Sequence, residues 1–434
     1  MTTQRIAVIG SGISGLTSAL LLQSRYQVSL FEQNNYLGGH THTVDIEVDR
    51  QLYPVNTGFI VFNDWTYPNF IRLLDHLQVA SEPSSMSFSV RCDETGLEYN
   101  GTSLNSLFCQ RENLFRPKFW RMIADIMRFN RNTTRDYQQN QISPTLTLQQ
   151  YLESEDYSGD FVRYYIIPMG AAIWSASEAD MLKFPLAFFV RFFHNHGMLS
   201  VNERPTWRVI SGGSRRYVDA ILPRLKGPVH FQRQVVKVER FPDCIMIRDD
   251  KGQLERFDAV VMACHSDQAL SLIQHPTAEE QNCLGAIPYQ DNDVVLHTDS
   301  SLLPQNRLAW AAWNYRIPPN PQQPVCLTYN MNILQNFKSD TTFCVSLNQT
   351  DQIAPNKILA RYRYSHPGFT LAGMEAQKNF NQINGHDRIY YCGAYWFNGF
   401  HEDGVNSAIR VARSLQVEFD EVIAPCPAQS TRAS

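Results

Sequence analysis

The 434-residue sequence predicts an α/β fold in which a parallel sheet is assembled from separated segments and a mixed α+β domain lies between them. Three observations support this prediction. The chain is too long for one compact core. A buried strand, a glycine-rich turn, a helix and a second strand follow one another within residues 5–31. Similar strand and helix patterns return at residues 202–268 and 385–424.

The glycine-rich turn lies at Gly10, Gly12 and Gly15, directly after the apolar run 5–9. In a Rossmann-like unit the first glycine allows a tight turn, the second allows N–H groups to approach a pyrophosphate, and the third allows close packing of helix and strand. Glu32 ends the next predicted strand, about 20 residues on, where a carboxylate can bind the hydroxyls of an adenosine ribose. Together these features predict a dinucleotide site.

Composition argues against several classes of protein. The formal net charge of -4 gives no electrostatic argument for nucleic-acid binding. No run of about 18 apolar residues is present, so no membrane-spanning helix is predicted. The first strand begins without the apolar segment of a signal peptide. The nine cysteines are scattered without metal-ligand spacing. We therefore expect a cytoplasmic protein with reduced thiols and no bound metal.

Residues 35–43 place the glycine pair Gly38 and Gly39 a few residues after the predicted ribose acid. This segment resembles the LGG(R) segment of the flavoprotein clan that holds amine oxidases, protoporphyrinogen oxidase and phytoene desaturases. The resemblance implies FAD as the cofactor and a discontinuous, GR2-type FAD-binding domain. His40 stands where the clan usually has an arginine, so it is not evident which residue takes the role of that arginine here.

Within the clan, the sequence is similar to a bacterial group described as FAD-dependent oxidoreductases. The segments that carry this resemblance are residues 38–43, 56–61 and 399–404. Members of the group often sit near genes for fatty-acid-modifying methyltransferases, which suggests lipid chemistry.

The resemblance also implies cofactor contacts in the middle and at the C-terminal end of the chain. Val236 would bind adenine through its backbone. Gly393 and Ala394 end a predicted strand, with alanine where the clan usually has an acid, and residues 400–408 lead into a helix whose N-terminus would stabilise charge on the reduced flavin. The predicted cofactor-binding residues are Gly10, Gly12, Ile13, Ser14, Gly15, Glu32, Gln33, Gly38, Gly39, His40, Thr57, Gly58, Val236, Gly393, Ala394, Glu402, Asp403, Gly404 and Val405.

These patterns predict two domains and a tail. The FAD-binding domain comprises residues 1–65, 202–268 and 385–424, the substrate domain comprises residues 66–201 and 269–384, and residues 425–434 form a flexible tail. A hairpin is predicted around residues 93–96. Further strands are predicted at residues 43–49, 55–62, 293–297, 308–313, 325–329 and 343–347. Gly58 is interpreted either as a point of close approach to the flavin ring or as a strand bulge.

Two helical segments have alternative interpretations. Residues 116–135 form an amphipathic helix with Phe119 and Trp120 on the apolar face and arginines largely elsewhere. This is typical of an ordinary surface helix, which we favour, or of a helix at a membrane interface. Residues 161–193 carry nine aromatic side chains, which either line an apolar slot or fill a helical core. The following pair, His194 and His196, lacks acids at ligand spacing and is interpreted as structural.

The expected reaction follows from the cofactor, because the flavin supplies the chemistry and the protein positions the substrate. Amine oxidases of the clan carry a lysine near flavin N5 in the substrate domain, whereas residues 252–337 here contain no lysine. We therefore expect hydride transfer from an apolar, fatty-acyl or lipid-like substrate to the flavin, as in a desaturase or an isomerase. Such a reaction needs a proton acceptor, and His297, His401 and His40 are the candidates.

The sequence leaves two alternatives to this function and disfavours a third. A flavin amine oxidase is the alternative within the same clan. An FAD-containing assembly partner without turnover is the alternative from another class, with the aromatic segment as its docking surface. An NAD-dependent dehydrogenase is disfavoured, because a C-terminal helix directed at the ring has no role there. The expected partners are a small apolar substrate and an electron acceptor that the sequence does not identify, with peripheral membrane contact as an alternative.

Overall fold

The structure is a computed structural model that describes residues 3–200, 203–319 and 324–423. Its strands, numbered along the chain, are β1 (Arg5–Ile9), β2 (Gln27–Phe31), β3 (Thr43–Val48), β4 (Gln51–Asn56), β5 (Val61–Asn63), β6 (Ser81–Pro83), β7 (Phe88–Cys92), β8 (Glu98–Asn100), β9 (Trp207–Ile210), β10 (Val229–His230), β11 (Val235–Arg240), β12 (Ile245–Asp249), β13 (Leu254–Phe257), β14 (Ala259–Met262), β15 (Tyr289–His297), β16 (Trp313–Ile317), β17 (Cys326–Asn330), β18 (Cys344–Leu347), β19 (Ile358–Pro367) and β20 (Ile389–Tyr391).

The α-helices are α1 (Ile13–Leu22), α2 (Pro68–Leu77), α3 (Leu104–Leu107), α4 (Pro117–Gln138), α5 (Leu148–Ser154), α6 (Gly159–Phe161), α7 (Ile167–Trp174), α8 (Glu178–Leu182), α9 (Leu186–Asn195), α10 (Arg215–Ile221), α11 (Ser266–Leu272), α12 (Ala278–Leu284), α13 (Met331–Leu334), α14 (Leu371–Lys378), α15 (Phe380–Ile383), α16 (His401–Ser414) and α17 (Phe419–Val422). A π-helical turn, Val162–Ile166, joins α6 to α7.

The first sheet is parallel throughout and has the strand order β10-β2-β1-β14-β20. Its central strands are apolar and buried, as expected when helices cover both faces of a parallel sheet. All five strands come from the predicted FAD-binding ranges, and the α/β class is confirmed. Because the strands run in one direction, the loops after β1, β2, β14 and β20 meet along one side, which we call the carboxyl edge.

The second large sheet is mixed, with the strand order β19-β15-β18-β17-β16-β7-β8. The predicted hairpin around residues 93–96 is confirmed as the antiparallel pair β7 and β8. Helices α4 to α9 pack on this sheet in a separate hydrophobic cluster that contains most of the aromatic segment 161–193. The boundaries between the two domains stay a prediction, and the predicted tail 425–434 lies outside the described residues.

Two predicted strands differ from the structure. The strand predicted at residues 55–62 is two strands, β4 and β5, because the chain turns at Gly58, where Phe59 N donates to His40 O at 2.8 Å. The strand predicted at residues 308–313 is a 3₁₀ turn and a loop, and β16 begins only at Trp313. The Asn314 side chain holds this loop by bonding both the N–H and the carbonyl of Ala311. Side-chain hydrogen bonds of this kind compete with a strand ladder.

Neither membrane spanning nor disulfide formation is indicated by the described ranges. None of their helices is both long enough and apolar enough to cross a bilayer. The eight cysteines in these ranges are free thiols.

Candidate functional site

The glycine loop between β1 and α1 lies at the carboxyl edge. Gly12 precedes α1, and no side chain caps the helix there. An ideal Cβ on Gly12 would meet no atom within 4 Å, so the loop faces open space. A Cβ on Gly15, by contrast, would collide with the carbonyl of Gly10. The N–H groups in the first turn of a helix have no partner within that helix and attract anions. The loop therefore fits a dinucleotide pyrophosphate.

The Glu32 side chain lies beside this loop at the end of β2. It is 6% exposed, and one carboxylate oxygen accepts from Ser11 N at 3.1 Å and Ser11 Oγ at 2.5 Å. The other oxygen accepts from Asn34 N at 2.8 Å. Because a carboxylate offers about four acceptor positions, capacity remains for a ribose hydroxyl. The next residue, Gln33, has an exposed side chain.

The glycine pair lies against the glycine loop. Gly38 forms an isolated parallel bridge with Gly12, and Gly38 N donates to Ser11 O at 3.0 Å. An ideal Cβ on Gly39 would lie 3.2 Å from the Cα of Gly12. Larger residues at this contact would push the two segments apart. The structure thus brings together two motifs that are separated by 22 residues of sequence, from Gly15 to Gly38.

The N-terminus of α16 meets the N-terminus of α1 at Gly404. An ideal Cβ on Gly404 would lie 3.0 Å from Ser14 Oγ and closer still to Ile13, so glycine permits this contact. Val405 is fully buried in the same turn. Both helices therefore present their N-terminal ends to the carboxyl edge.

The two acids of this segment already have partners within the protein. Glu402 accepts from Asn69 N at 3.1 Å and Phe70 N at 2.8 Å, at the start of α2. Asp403 accepts from Phe400 N at 2.9 Å. Burial raises the pKa of Glu402, and raises that of Asp403 to about 7. These carboxylates serve as helix caps, which leaves the backbone of α16 to face a cofactor.

Gly393 and Ala394 follow β20 at the carboxyl edge. Gly393 N donates to Ser407 Oγ at 2.6 Å, and Ala394 begins the 3₁₀ turn Ala394–Trp396. A Cβ on Gly393 would collide with the ring of Tyr395. The loop after β20 is therefore held against α16.

The remaining predicted cofactor-binding residues are Thr57, Gly58 and Val236, and each has its own set of contacts. Thr57 Oγ1 lies 3.1 Å from His42 Nδ1 and 2.9 Å from Tyr364 OH. A Cβ on Gly58 would collide with the His40 carbonyl, which accounts for this glycine without a cofactor. Val236 is 42% exposed at a register shift between β11 and β12, so its backbone is released from the regular ladder.

Four histidines gather at the carboxyl edge. The rings of His40 and His265 are stacked with centroids 5.8 Å apart, and the His366 centroid lies 5.4 Å from that of His40. Burial lowers the pKa of His40 and His265 to about 4 and that of His366 to about 3. The pKa of His401 is held well below its usual value, mainly by burial and also by electrostatic repulsion from His40.

His401 lies at the start of α16 in a hydrogen-bonded group. Its Nε2 is 2.9 Å from Thr41 Oγ1 and 3.3 Å from Tyr217 OH, and these two hydroxyls are 2.5 Å apart. The imidazole stacks on Phe59 with centroids 3.4 Å apart. His401 can therefore exchange a proton with a chain of hydroxyl groups.

His297 is separated from this group by its contacts. It is fully buried on β15, where Nε2 bonds Ser346 Oγ at 2.8 Å and Nδ1 accepts from Asp299 N at 3.0 Å. Burial lowers its pKa to about 4. Both ring nitrogens are thus occupied within the second sheet.

Sequence reasoning did not identify His265 and His366. The sequence position of His265 indicated this placement, since His265 lies three residues after the end of β14 and therefore at the carboxyl edge. His366 lies near the end of β19, which sequence reasoning did not predict as a strand. Tertiary packing alone brings it to the other imidazoles.

The other predicted histidine pair has structural contacts. His196 Nδ1 lies 2.9 Å from the Phe192 carbonyl, and Nε2 lies 3.1 Å from Thr66 Oγ1. His194 packs its ring on Tyr137. Across the described part of the chain, no cluster of three or more His, Cys, Asp or Glu side chains is arranged to hold a metal ion.

Comparison with solved structures shows that this fold is shared with several enzymes of different names. A putrescine oxidase bound to putrescine aligns with a TM-score of 0.67 over 96% of this chain and 99% of its own, at 13% identity. A CLA-producing fatty acid isomerase from P. acnes aligns with a TM-score of 0.68 over 94% and 98%, also at 13% identity. Cyclohexylamine oxidase from Brevibacterium oxydans IH-35A aligns with a TM-score of 0.66 over 96% and 100%, at 13% identity.

Comparison with characterised sequences gives a short match. A 1-hydroxycarotenoid 3,4-desaturase from Flavobacterium sp. (strain P99-3) is 48% identical over 44 residues, which is 10% of this chain and 9% of the desaturase.

The family assignment rests on a longer stretch of the sequence. The profile of the family described as flavin containing amine oxidoreductase matches residues 13–302. This range runs from the start of α1 through the glycine pair and β14 into the second sheet. The chain therefore belongs to the flavin-containing amine oxidoreductase family, and it is an oxidoreductase with FAD as its cofactor.

Proposed function

We propose that this protein transfers a hydride from an apolar, fatty-acyl or lipid-like substrate to FAD, as a desaturase or an isomerase does. The observation that carries this proposal is the placement of the lysines. All eight lysines lie in the described ranges, and none of them is buried. The lysine that the resembled amine oxidases hold beside the flavin thus has no counterpart here, which disfavours amine oxidation.

Of the two interpretations of the aromatic segment 161–193, the helical core describes its α9 part better than an apolar slot does. The side chains of Phe188, Phe189 and Phe193 are fully buried, and Phe189 stacks on Phe193 with centroids 4.1 Å apart. These rings form the core of the substrate-domain helices. The slot cannot pass Phe189, because the space around this ring is filled by other aromatic side chains such as Trp174.

A second group of apolar side chains is better placed to contact a substrate. Tyr165 of the π-helical turn and Ile173 of α7 are half-buried at the surface of the aromatic core. Trp313 and Tyr329, from the facing sheet, meet edge to face with centroids 5.2 Å apart and pack against the same core. π-Helical turns are rare and often mark functional sites. We infer that an apolar chain lies between this turn and β16–β17.

The protein groups that would serve the reaction lie at the carboxyl edge. Bound FAD supplies a hydride acceptor. The N-terminus of α16 stabilises negative charge near the flavin. Among the three candidate histidines, His401 is the proposed proton acceptor, because its imidazole is neutral at pH 7 and joins Thr41 and Tyr217 in a hydrogen-bonded chain. His297 has no free ring nitrogen within the described structure.

The related proteins are compatible with this proposal. Fatty acid isomerase and carotenoid desaturase are the names of proteins that act on apolar chains, whereas putrescine oxidase and cyclohexylamine oxidase act on amines. All three structural neighbours share the fold at 13% identity, so the fold does not choose between them. The lysine placement is what favours the apolar class.

The proposal is tested by mixing the oxidised protein anaerobically with long-chain unsaturated fatty acids, their phospholipid esters, putrescine or cyclohexylamine, while the flavin absorbance is followed. We expect bleaching, or conversion of the double bond without net bleaching, with the lipids alone. Bleaching with the amines would overturn the proposal in favour of an amine oxidase. No flavin change and no product with any lipid extract would favour a partner without turnover.

The role of His401 is tested with a matched pair of variants. His401→Gln should slow flavin reduction about a hundredfold or more, the usual contribution of a general base. His297→Gln should leave the rate close to that of the wild type while lowering stability. Equal rates for both variants would refute the assignment of His401.

A further inference from the structure

The segments that carry His40 and His265 lie beside the glycine loop, on two sides of it. Gly39, which contacts Gly12, immediately precedes His40. On the other side, an ideal Cβ on Gly10 would lie 3.2 Å from Cys264 N, and His265 is the next residue. The rings of His40, His265 and His366 contact one another and form a cluster beside the glycine loop. That loop faces open space at Gly12 and can bind an anion. We call His40, His265 and His366 the histidine cluster.

The surroundings of the histidine cluster contain few charges. Tyr364 meets His40 edge to face at 5.2 Å, Tyr289 stacks on His265 at 4.5 Å, and the side chain of Asn292 bonds His366 Nδ1 at 3.2 Å. The imidazole of His401, on α16, is near enough for His40 to lower its pKa.

The acid whose charge acts on His265 is Asp291, and it already pairs with Arg363 at 2.6 Å. Within the described residues, no carboxylate bonds any ring of the cluster. Desolvation and mutual repulsion lower all three pKa values, so the rings are neutral at pH 7 without an anion.

We propose that the histidine cluster binds the pyrophosphate of FAD, and that it takes up protons when the cofactor binds. An opposite charge within about 4–6 Å favours the protonated form of a base. A pyrophosphate held at the N-terminus of α1 is such a charge. Each protonated imidazole then supplies the positive charge that an arginine carries permanently. This inference concerns cofactor binding and does not depend on the substrate.

The test is the dissociation constant of FAD between pH 5 and 8, measured by release of flavin from the holoprotein at equilibrium, with circular dichroism to verify folding. By linkage, the constant should rise about tenfold per pH unit for each imidazole that is charged in the complex, up to its pKa there. Affinity should therefore fall as the pH rises. A dissociation constant independent of pH would overturn the proposal.

Three variants locate the effect. His40→Arg carries a fixed charge and should lower the pH slope by about one proton, with FAD bound at pH 8 at least as tightly as in the wild type. His265→Gln should bind FAD more weakly and also lose slope. His275→Gln, at an exposed position, should behave as the wild type. An unchanged slope in both cluster variants would place the titrating groups elsewhere and refute the site.

A separate surface carries a second inference. The side chains of Leu104, Leu114, Phe115 and Trp120 are exposed, with Phe115 at 85% and Leu104 at 76%. Trp120 Nε1 donates to Leu114 O at 2.9 Å, which joins α4 to the preceding 3₁₀ turn. Arg111 then joins this turn to Asn105, next to Leu104. We call these four side chains the apolar patch.

Positive charge surrounds the apolar patch. Arg111, Arg116, Lys118 and Arg121 are exposed within the same stretch, against the single exposed acid Glu112. The whole chain carries a net charge of -4, so this surface differs in sign from the average. The opposite face of α4, with Phe119 and Met122, is buried in its own domain. The expected helix packed on its own domain is thus found at Phe119, whereas Trp120, expected on the same apolar face, is 48% exposed.

We infer that the apolar patch docks on the surface of an anionic lipid bilayer. Aromatic and leucine side chains flanked by Lys and Arg are the composition of membrane-interface segments. Each basic residue near an anionic surface contributes about a fivefold gain in binding.

The test is co-flotation of the holoprotein with vesicles of phosphatidylcholine alone or mixed equally with phosphatidylglycerol. We expect binding to the mixed vesicles that weakens with salt. The double variant Phe115→Ser/Trp120→Ser should bind at least tenfold more weakly, and Leu254→Ser, at an exposed position on β13, should bind as the wild type does. No binding to mixed vesicles, equal binding by the double variant, or a dimer that dissociates in that variant without vesicle binding would refute the inference.

Discussion

Removing the charge of Glu32 gives a sharp test of the predicted cofactor site. In Glu32→Gln, an amide NH₂ group replaces one carboxylate oxygen in a place where three protein donors already converge, from Ser11 and Asn34. The variant loses a charge-assisted hydrogen bond to the ribose, which contributes about 1.5–3 kcal/mol. The FAD dissociation constant should therefore rise about ten- to a hundredfold.

The control for this experiment is a second buried glutamate. Glu98 is 5% exposed, and its carboxylate accepts from Gln305 N at 2.7 Å and Asn306 N at 2.9 Å in the substrate domain. Glu98→Gln should lower the melting temperature without changing FAD affinity. The assay is FAD retained after gel filtration over a dilution series. Unchanged FAD affinity in Glu32→Gln, with both variants folded, would mean that another group binds the ribose.

Three further predictions follow from the same structure. Heat denaturation should release FAD and not FMN, because the glycine loop and Glu32 form a site for an adenosine dinucleotide; chromatography of the released flavin decides this, and FMN would contradict it. Phe189→Ala should lower the free energy of unfolding by about 3–5 kcal/mol, since Phe189 is fully buried; a variant of normal stability that selectively loses long-chain substrates would instead favour a slot at this ring. Lowering the pH from 8 to 5.5 should reduce the free energy of unfolding by about 1.4 kcal/mol through His297 alone. The reason is that the pKa of His297 is about 4 in the folded protein and 6.5 in the unfolded chain, which therefore binds more protons over this range. A melting temperature that declines as steeply in His297→Gln would contradict this.

The N-terminal part of the fold was predictable because its determinants are local. Strand, glycine loop, helix, strand and acid occupy residues 5–32, and each element is specified by its own composition. The second sheet was less predictable. β19 is ten residues long, yet sequence reasoning did not predict it. β16 begins only at Trp313, because the Asn314 side chain holds the preceding residues in a loop through a hydrogen bond from Ala311 N.

The role of individual side chains in the site was also hard to predict from the sequence. Glu402 and Asp403 were expected to bind the cofactor, but their carboxylates accept hydrogen bonds from backbone N–H groups of their own protein. Gly58 was interpreted as a point of close approach to the flavin or as a strand bulge, and the His40 carbonyl accounts for its lack of a side chain. A motif can therefore place a segment correctly while its individual side chains stabilise the segment. Such contacts are made in three dimensions and leave no spacing in the sequence.

Two differences from the resembled clan point in the same electrostatic direction. Position 40 carries histidine where related sequences have arginine, and residues 252–337 lack the lysine of the amine oxidases. Each difference removes a permanent positive charge, and burial holds the pKa of His401 well below its usual value, so that the proposed proton acceptor is neutral at pH 7. A substrate domain that lacks this lysine has no fixed charge there to offset the cost of desolvating a charged substrate. It gains most from burying hydrocarbon, at about 25 cal/mol per Å². This balance is the physical reason to expect hydride transfer from an uncharged chain.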